Sequence, residues 1–236
     1  MYQSNKISFF EGFKKSLPLV FSASFFGIIF GYTGANGQLP LSIISSSSFI
    51  IFAGAAQFIS IILIIAKEEM LAIIVAALLI NLRHLLYGAV IHDLTKFKGI
   101  KKLIAAYFLT DEAFLVTTLT EKQNQQSDLK FNLDYILLGS GITLWVFWNI
   151  TTILGYLLYN VTSNLFFIPD NFVISASFIG YLVNHYIKYK QDRLIIILTS
   201  IMALILGFTL NTSSILIIIM FSGAIFAIVF QKEVIK

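Results

Sequence analysis

Long apolar stretches separated by short polar breaks run the length of the chain. A helix crosses a hydrocarbon core of about 30 Å with about 20 mainly apolar residues, fewer where flanking groups snorkel. On that measure eight stretches qualify: 18–34, 41–66, 70–91, 103–120, 134–158, 171–187, 194–210 and 213–230. Runs such as LIIILTSIMALILGF are apolar on every face, whereas a membrane β-barrel alternates apolar and polar positions in segments of about ten residues. The pattern therefore predicts an all-α, polytopic membrane helical bundle. Breakers fill the connections: Asn36-Gly37 with Pro40, Lys98-Gly99, and Pro169-Asp170-Asn171. Further membrane stretches follow the first one directly, so 18–34 is expected to stay as a spanning helix and not to be cleaved as a signal peptide. Residues 1–17 are expected as a cytoplasmic tail and 18–231 as a single transmembrane domain.

Composition agrees. Of 236 residues, 58% are hydrophobic and 12% charged, and the mean hydropathy is +0.87. A soluble domain carries about 25% charged residues, so neither a cytosolic enzyme nor a secreted module is expected. With no Cys, disulfide frameworks, thiolate metal sites, haem attachment and Cys nucleophiles drop out together, and no cofactor is expected. The formal charge of +4 bears on sidedness, since Lys and Arg gather on the cytoplasmic face, and not on nucleic acid. Eight spans with the amino terminus inside place eleven cations on the inner side: Lys6, Lys14, Lys15, Lys67, Lys122, Lys130, Lys188, Lys190, Arg193, Lys232 and Lys236. Lys96, Lys98, Lys101 and Lys102 then share one outer loop, and Arg83 lies within a span. Both termini are thus expected in the cytoplasm. Four cations in one outer loop break the rule, however, and this leaves open seven spans with a broken or re-entrant helix in the first half.

Polar side chains inside the stretches carry the chemistry. NLRHLLYG sets Asn81, Arg83, His84 and Tyr87 within two helical turns. At 100° per residue Asn81, His84 and Gly88 share a face, with Arg83 and Tyr87 on the adjoining flank. An arginine near the midplane costs about 2.5–3.5 kcal/mol on insertion scales and so faces a partner, a cavity or a ligand. YFLTDEAF offers Asp111 and Glu112 at similar depth on the next span. Two adjacent acids point about 100° apart, so one can face Arg83 while the other is shielded or titrates. The pair is either packing glue or part of a substrate or coupling site. His84 is a proton relay or a hydrogen-bonded structural imidazole. FAGAAQF puts Gly54, Ala55 and Ala56 before Gln57; the small residues permit close helix approach or leave room for a ligand, and Gln57 suits an α-carboxylate and amine or interhelical bonding. Gly27 and Gly31 in GIIFG form either a tight helix crossing or a discontinuous helix whose unwound backbone binds a carboxylate. Asn149, beside Trp145 and Trp148, and Asn171 are weaker signals.

FAGAAQF, NLRHLLYG and YFLTDEAF, in that order and spacing, resemble the AzlC family, the larger subunit of bacterial branched-chain amino acid exporters. SLPLVFSASFFGIIFG is similar to the family's opening, with Phe25 where a second proline is usual. NFVISASF is similar to an Asp-Phe motif with Asn171 in place of the acid. The resemblance implies export of valine, leucine, isoleucine or methionine through the cytoplasmic membrane by a secondary transporter, with a small AzlD-type membrane subunit as partner and membrane lipid as surroundings.

The expected site lies near the midplane where the first four spans meet. Arg83 takes the substrate carboxylate, and Gln57 and Asn81 supply neutral hydrogen bonds. Asp111 or Glu112 takes the ammonium or a coupling proton, and the apolar side chain rests against Gly54, Ala55 and neighbouring aromatics. Burying a zwitterion requires both charges to be matched. An enzyme is not expected, because no nucleophile, base and orienting acid fall into a recognisable arrangement, and no G-x-x-x-x-G-K-[ST] stretch supports ATP hydrolysis. The rivals are an amino acid importer and a non-transporting scaffold subunit.

Overall fold

The computed structural model describes residues 2–162, 182–183, 186, 190–208, 218–219, 222–223 and 225–226. These residues fall into two compact units, one of residues 2–57 and 81–162, the other of residues 58–80 and the described residues from 182 on. The helices are α1 (Asn5–Asn36), α2 (Leu41–Ile50), α3 (Gly54–Ile65), α4 (Met70–Asn81), α5 (Arg83–Leu94), α6 (Ile100–Tyr107), α7 (Asp111–Gln126), α8 (Leu133–Thr162) and α9 (Arg193–Gly207). The architecture is an all-α membrane bundle.

The apolar stretches do not map one to one onto spans. Among the described residues three helices are long and apolar enough to cross a membrane: Asn5–Asn36, Met70–Leu94 and Leu133–Thr162. A fourth would come only from α6 and α7 taken together, and these are bent by 113°. The expected stretch 41–66 breaks at 51–53 and the stretch 103–120 at 108–110. In the second unit the stretch 194–210 appears as the shorter apolar helix α9; 171–187 and 213–230 lie largely, and Asn171 entirely, outside the described residues.

The expected tail is helical from Asn5 on. The Ser4 hydroxyl caps α1 by accepting from the Ile7 N–H at 3.3 Å, and the helix carries Pro18 inside it. It ends where the Leu39 N–H reaches Gly34 O and the Gln38 N–H reaches Ala35 O, each at 3.0 Å, a reverse turn that closes a helix end. Gln38, not the neighbouring Gly37, takes the left-handed conformation, with φ of 59°.

In the first unit α1 and α8 form the frame. A Cβ on Gly27 would collide with the Thr151 hydroxyl, and one on Gly31 with the Thr152 carbonyl. The two glycines thus form a close crossing with α8 in an unbroken α1. The discontinuous-helix alternative, with unwound backbone at Gly27 and Gly31 free to bind a carboxylate, is not what the chain adopts: both backbones are already in helical hydrogen bonding and packed against α8.

Contacts fix which ends of the first-unit helices lie together. The Gln3 N–H donates to Lys130 O at 2.7 Å, and the Asn132 N–H to Ser8 Oγ at 2.9 Å. Asn124 and Phe131 exchange two hydrogen bonds, at 2.9 and 2.8 Å. The Lys96 N–H donates to Asp134 Oδ1 at 2.7 Å, and the Phe97 and Tyr135 rings lie 5.6 Å apart. Residues 2–8, 95–98 and 122–134 therefore share one end. The start of α6 and the finish of α7 are both there, so α6 and α7 form a re-entrant segment that enters and leaves by the same face. Its tip packs at Trp145, where Tyr107 Oη accepts from indole Nε1 at 2.8 Å. Trp145 is eleven residues along α8 from Asp134, about 16 Å, or half of a hydrocarbon core of about 30 Å.

α2 approaches the same depth from the opposite end. The Tyr156 hydroxyl donates to Leu39 O at 3.1 Å just before α2, and the Phe49 ring meets Trp145 at 4.7 Å near its finish. After the break, with Phe52 at φ of 41°, Gln57 Nε2 reaches back to Ser48 Oγ at 3.2 Å. Two broken segments thus meet at mid-depth from opposite faces. This corrects the sidedness of Lys96, Lys98, Lys101 and Lys102. They lie at the same end as Lys6, Lys14, Lys15, Lys122 and Lys130, and the remaining described stretches of this unit carry no Lys or Arg except Arg83.

Candidate functional site

α7 begins where its sequence dictates. Thr110 is its N-cap, Oγ1 accepting from the Ala113 N–H at 3.3 Å, and Asp111 and Glu112 occupy the first turn, where carboxylates are favoured by the helix dipole. From Asp111 to Glu121 the helix rises about 15 Å, so the break leaves Asp111 at mid-depth with its carboxylate off the helix end. Arg83 is the first residue of α5, two residues past Asn81 at the end of α4.

Arg83 Nη1 lies 2.7 Å from Asp111 Oδ2, with the side chains 35% and 40% exposed. Of the two acids it is Asp111 that makes the ion pair, and Glu112 follows it in the first turn of α7. Three polar side-chain atoms among the described residues are buried with no hydrogen-bond partner, and all three belong here: Asn81 Oδ1, Arg83 Nε and Asp111 Oδ1. Such atoms cost about 1–3 kcal/mol each when left unsatisfied. Their concentration at one ion pair leaves hydrogen-bonding capacity open at this place. The set offers one donor and two acceptors, of which one is anionic, so it can take a group that is positive on one side and negative on the other.

Aromatic side chains close one flank. The Tyr87 ring stacks on Phe114 at 4.5 Å and 18°, and His84 meets Tyr87 edge-on at 5.7 Å. His84 Nδ1 lies 3.3 Å from Asn81 O, a local bond that fixes the ring. Asn81, Arg83, His84, Tyr87, Asp111 and Glu112 are therefore brought together.

Gln57 and Gly54 are not part of that cluster. Gln57 is 1% exposed; its Oε1 accepts from the Ala53 N–H at 3.2 Å and its Nε2 donates to Ser48. Ser48 Oγ also accepts from Trp148 Nε1 at 3.1 Å and lies 3.0 Å from Thr152 Oγ1. Gln57 thus closes a buried network that holds the α2–α3 break against α8. A Cβ on Gly54 would come within 3.0 Å of the Trp148 ring, so the space expected there for a substrate side chain is already filled by indole. Asn149 is spent on its own helix, Nδ2 donating to Trp145 O at 2.9 Å.

Sequence reasoning assigned no role to Tyr107, Trp145 or Phe114. The Tyr107 hydroxyl donates to Phe49 O, a carbonyl near the end of α2, while accepting from Trp145. A helix-end carbonyl in the membrane interior needs such a partner. The available signal was Thr110 ahead of two acids, which marks a helix start in the middle of an apolar run.

The chain is similar to "Inner membrane protein YgaZ" of Escherichia coli (strain K12), 27% identical over 151 residues, 63% of this chain and 60% of that protein. It is also similar to "Branched-chain amino acid transport protein AzlC" of Bacillus subtilis (strain 168), 25% identical over 195 residues, 78% of this chain and 70% of that protein. The chain thus spans 60% of the length of the first relative. No solved structure matches it. The family described as "AzlC protein" matches residues 18–162, more than half of the chain and a range that holds every candidate site residue, and the chain belongs to that family.

Proposed function

We propose that this protein is the larger subunit of a secondary transporter that exports branched-chain amino acids across the cytoplasmic membrane, together with a small AzlD-type membrane partner. The observation that carries the reading is the Arg83–Asp111 pair with three unpartnered polar atoms at one mid-depth site. An α-amino acid presents the complement: a carboxylate for Arg83, and an ammonium for Asp111 and Asn81. Both charges are matched, as a zwitterion leaving water requires. The aliphatic side chain then lies along the Tyr87 and Phe114 rings, and Glu112 or His84 carries a coupling proton. Between turnovers Asp111 neutralises Arg83 in place of substrate. The substrate class follows the name of the Bacillus relative, and the inner membrane that of the Escherichia relative.

Orientation follows from charge. Nine lysines of the first unit lie at the end that holds residues 2–8, so that end faces the cytoplasm. The chain acts as one transport domain and is not an enzyme.

The test is efflux from cells that lack their own exporters. Cells loaded with isoleucine- or valine-containing dipeptides release the free amino acid faster when this chain and a small partner are expressed, and an uncoupler abolishes the gain. Arg83→Ala, inserted in the membrane at wild-type level, loses it. Undiminished efflux from that variant refutes the site; no efflux from the wild-type pair refutes the substrate class or the direction.

A further inference from the structure

Lys96, Lys98, Lys101 and Lys102 fall within seven residues, and all are exposed. The ion pairs found among the described residues, Lys15 with Glu11 and Arg83 with Asp111, do not involve them. Asp134, the carboxylate that touches this loop, accepts from the Lys96 backbone N–H and leaves the side chain to solvent. Lys102 Nζ lies 2.9 Å from His92 Nδ1. With Asp93 counted, residues 92–103 carry a net charge of +3 (four lysines less one aspartate). The loop itself is held in place, by Asp134 at Lys96 and by the Phe97 ring on Tyr135.

Apolar side chains stand beside these ammonium groups. Ile100 is 68% exposed and Leu103 67%, both in the first turn of a helix whose far end reaches mid-depth at Tyr107. Ile100, Lys101, Lys102 and Leu103 thus share one helical turn, with apolar and cationic side chains at one level. Lysine clusters next to a membrane segment attract anionic lipid, each residue near the surface being worth about fivefold in affinity, and compact ammonium groups suit a phosphodiester oxygen. A soluble acidic partner would match the charge alone, leaving Ile100 and Leu103 unexplained.

We propose that residues 96–103 form a docking site for an anionic phospholipid, with its phosphodiester held by the four lysines and its acyl chains lying on Ile100 and Leu103. The lipid clamps the mouth of the α6–α7 segment to the leaflet it enters from. The site is independent of what the protein transports, so its test reads binding and not flux.

Full-length protein is purified from nanodiscs of phosphatidylcholine mixed with phosphatidylglycerol, and retained lipid is identified by native mass spectrometry. Wild type retains phosphatidylglycerol preferentially. The variant Lys96→Gln/Lys98→Gln/Lys101→Gln/Lys102→Gln loses at least about tenfold of that preference, the matching Lys→Arg variant keeps it, and neutralising Lys6, Lys14, Lys122 and Lys130 leaves it nearly intact. Equal preference in wild type and the 96–102 Gln variant overturns the proposal. So does an equal loss on neutralising the other four lysines, since the attraction would then belong to the whole face.

Discussion

Arg83 and Asp111 can be separated into glue and site by removing their charges singly and together. A lone charge left at mid-depth is penalised, but both side chains are more than a third exposed, so the loss is nearer about 1–2 kcal/mol than the figure for a fully buried pair. Arg83→Gln and Asp111→Asn should each lower the melting temperature in detergent. The double variant should recover most of that stability, because no unpaired charge remains, while efflux stays absent. Efflux at the wild-type rate from the double variant would reduce the pair to packing. The pairing was legible in the sequence because charges within apolar runs seek one another. The choice of Asp111 over Glu112 was not, because it depends on where α7 begins. Gln57 shows the opposite limit: its residue type fitted a ligand equally well, and only the positions of Ser48 and the Ala53 amide reveal that both ends of its amide are engaged.

At the scale of the element, glycine at 31 is set by backbone contact. A Cβ there falls on the Thr152 carbonyl, which cannot rotate away as a side chain can, so Gly31→Ala should push α1 off α8. The overpacking cost is about 1–3 kcal/mol; the variant should melt several degrees lower, and an unchanged melting temperature would contradict the crossing. Tyr107 tests the two broken segments. Tyr107→Phe keeps the ring against Phe52 and Phe108 but strands the Phe49 carbonyl and the Trp145 indole N–H, a loss of about 1–3 kcal/mol. Trp145→Phe removes one leg of the same bridge, so the two losses should be less than additive in a double-mutant cycle. Additive losses would mean that the hydroxyl does not join them. Helix presence was largely legible from hydropathy, and α1 and α8 emerge as continuous apolar helices. The breaks at 51–53 and 108–110 were hidden because the apolar run passes through both without a proline. What marks the second is a capping threonine and two acids, a signal of helix start rather than of polarity.

For the whole first unit, the lysines and the re-entrant segment make one claim about sidedness. If α6 and α7 crossed the membrane as a single span, Lys98 would face the side opposite Lys130; in the observed arrangement both lie at the end that holds Tyr2 and Asp134. The chain has no cysteine, so single cysteines report without background. Lys98→Cys and Lys130→Cys should both resist a membrane-impermeant maleimide in intact cells and label in inside-out vesicles, and Gln38→Cys, at the opposite end of α1, should do the reverse. Labelling of Lys98→Cys alone from outside would restore the crossing and remove the mid-depth position of Asp111 with it. That position depends on α7 starting at the tip of a segment that turns back. A carboxylate at the start of a half-length helix sits at about 15 Å from the interface, within reach of Arg83, without any full-length helix having to carry an acid through the core.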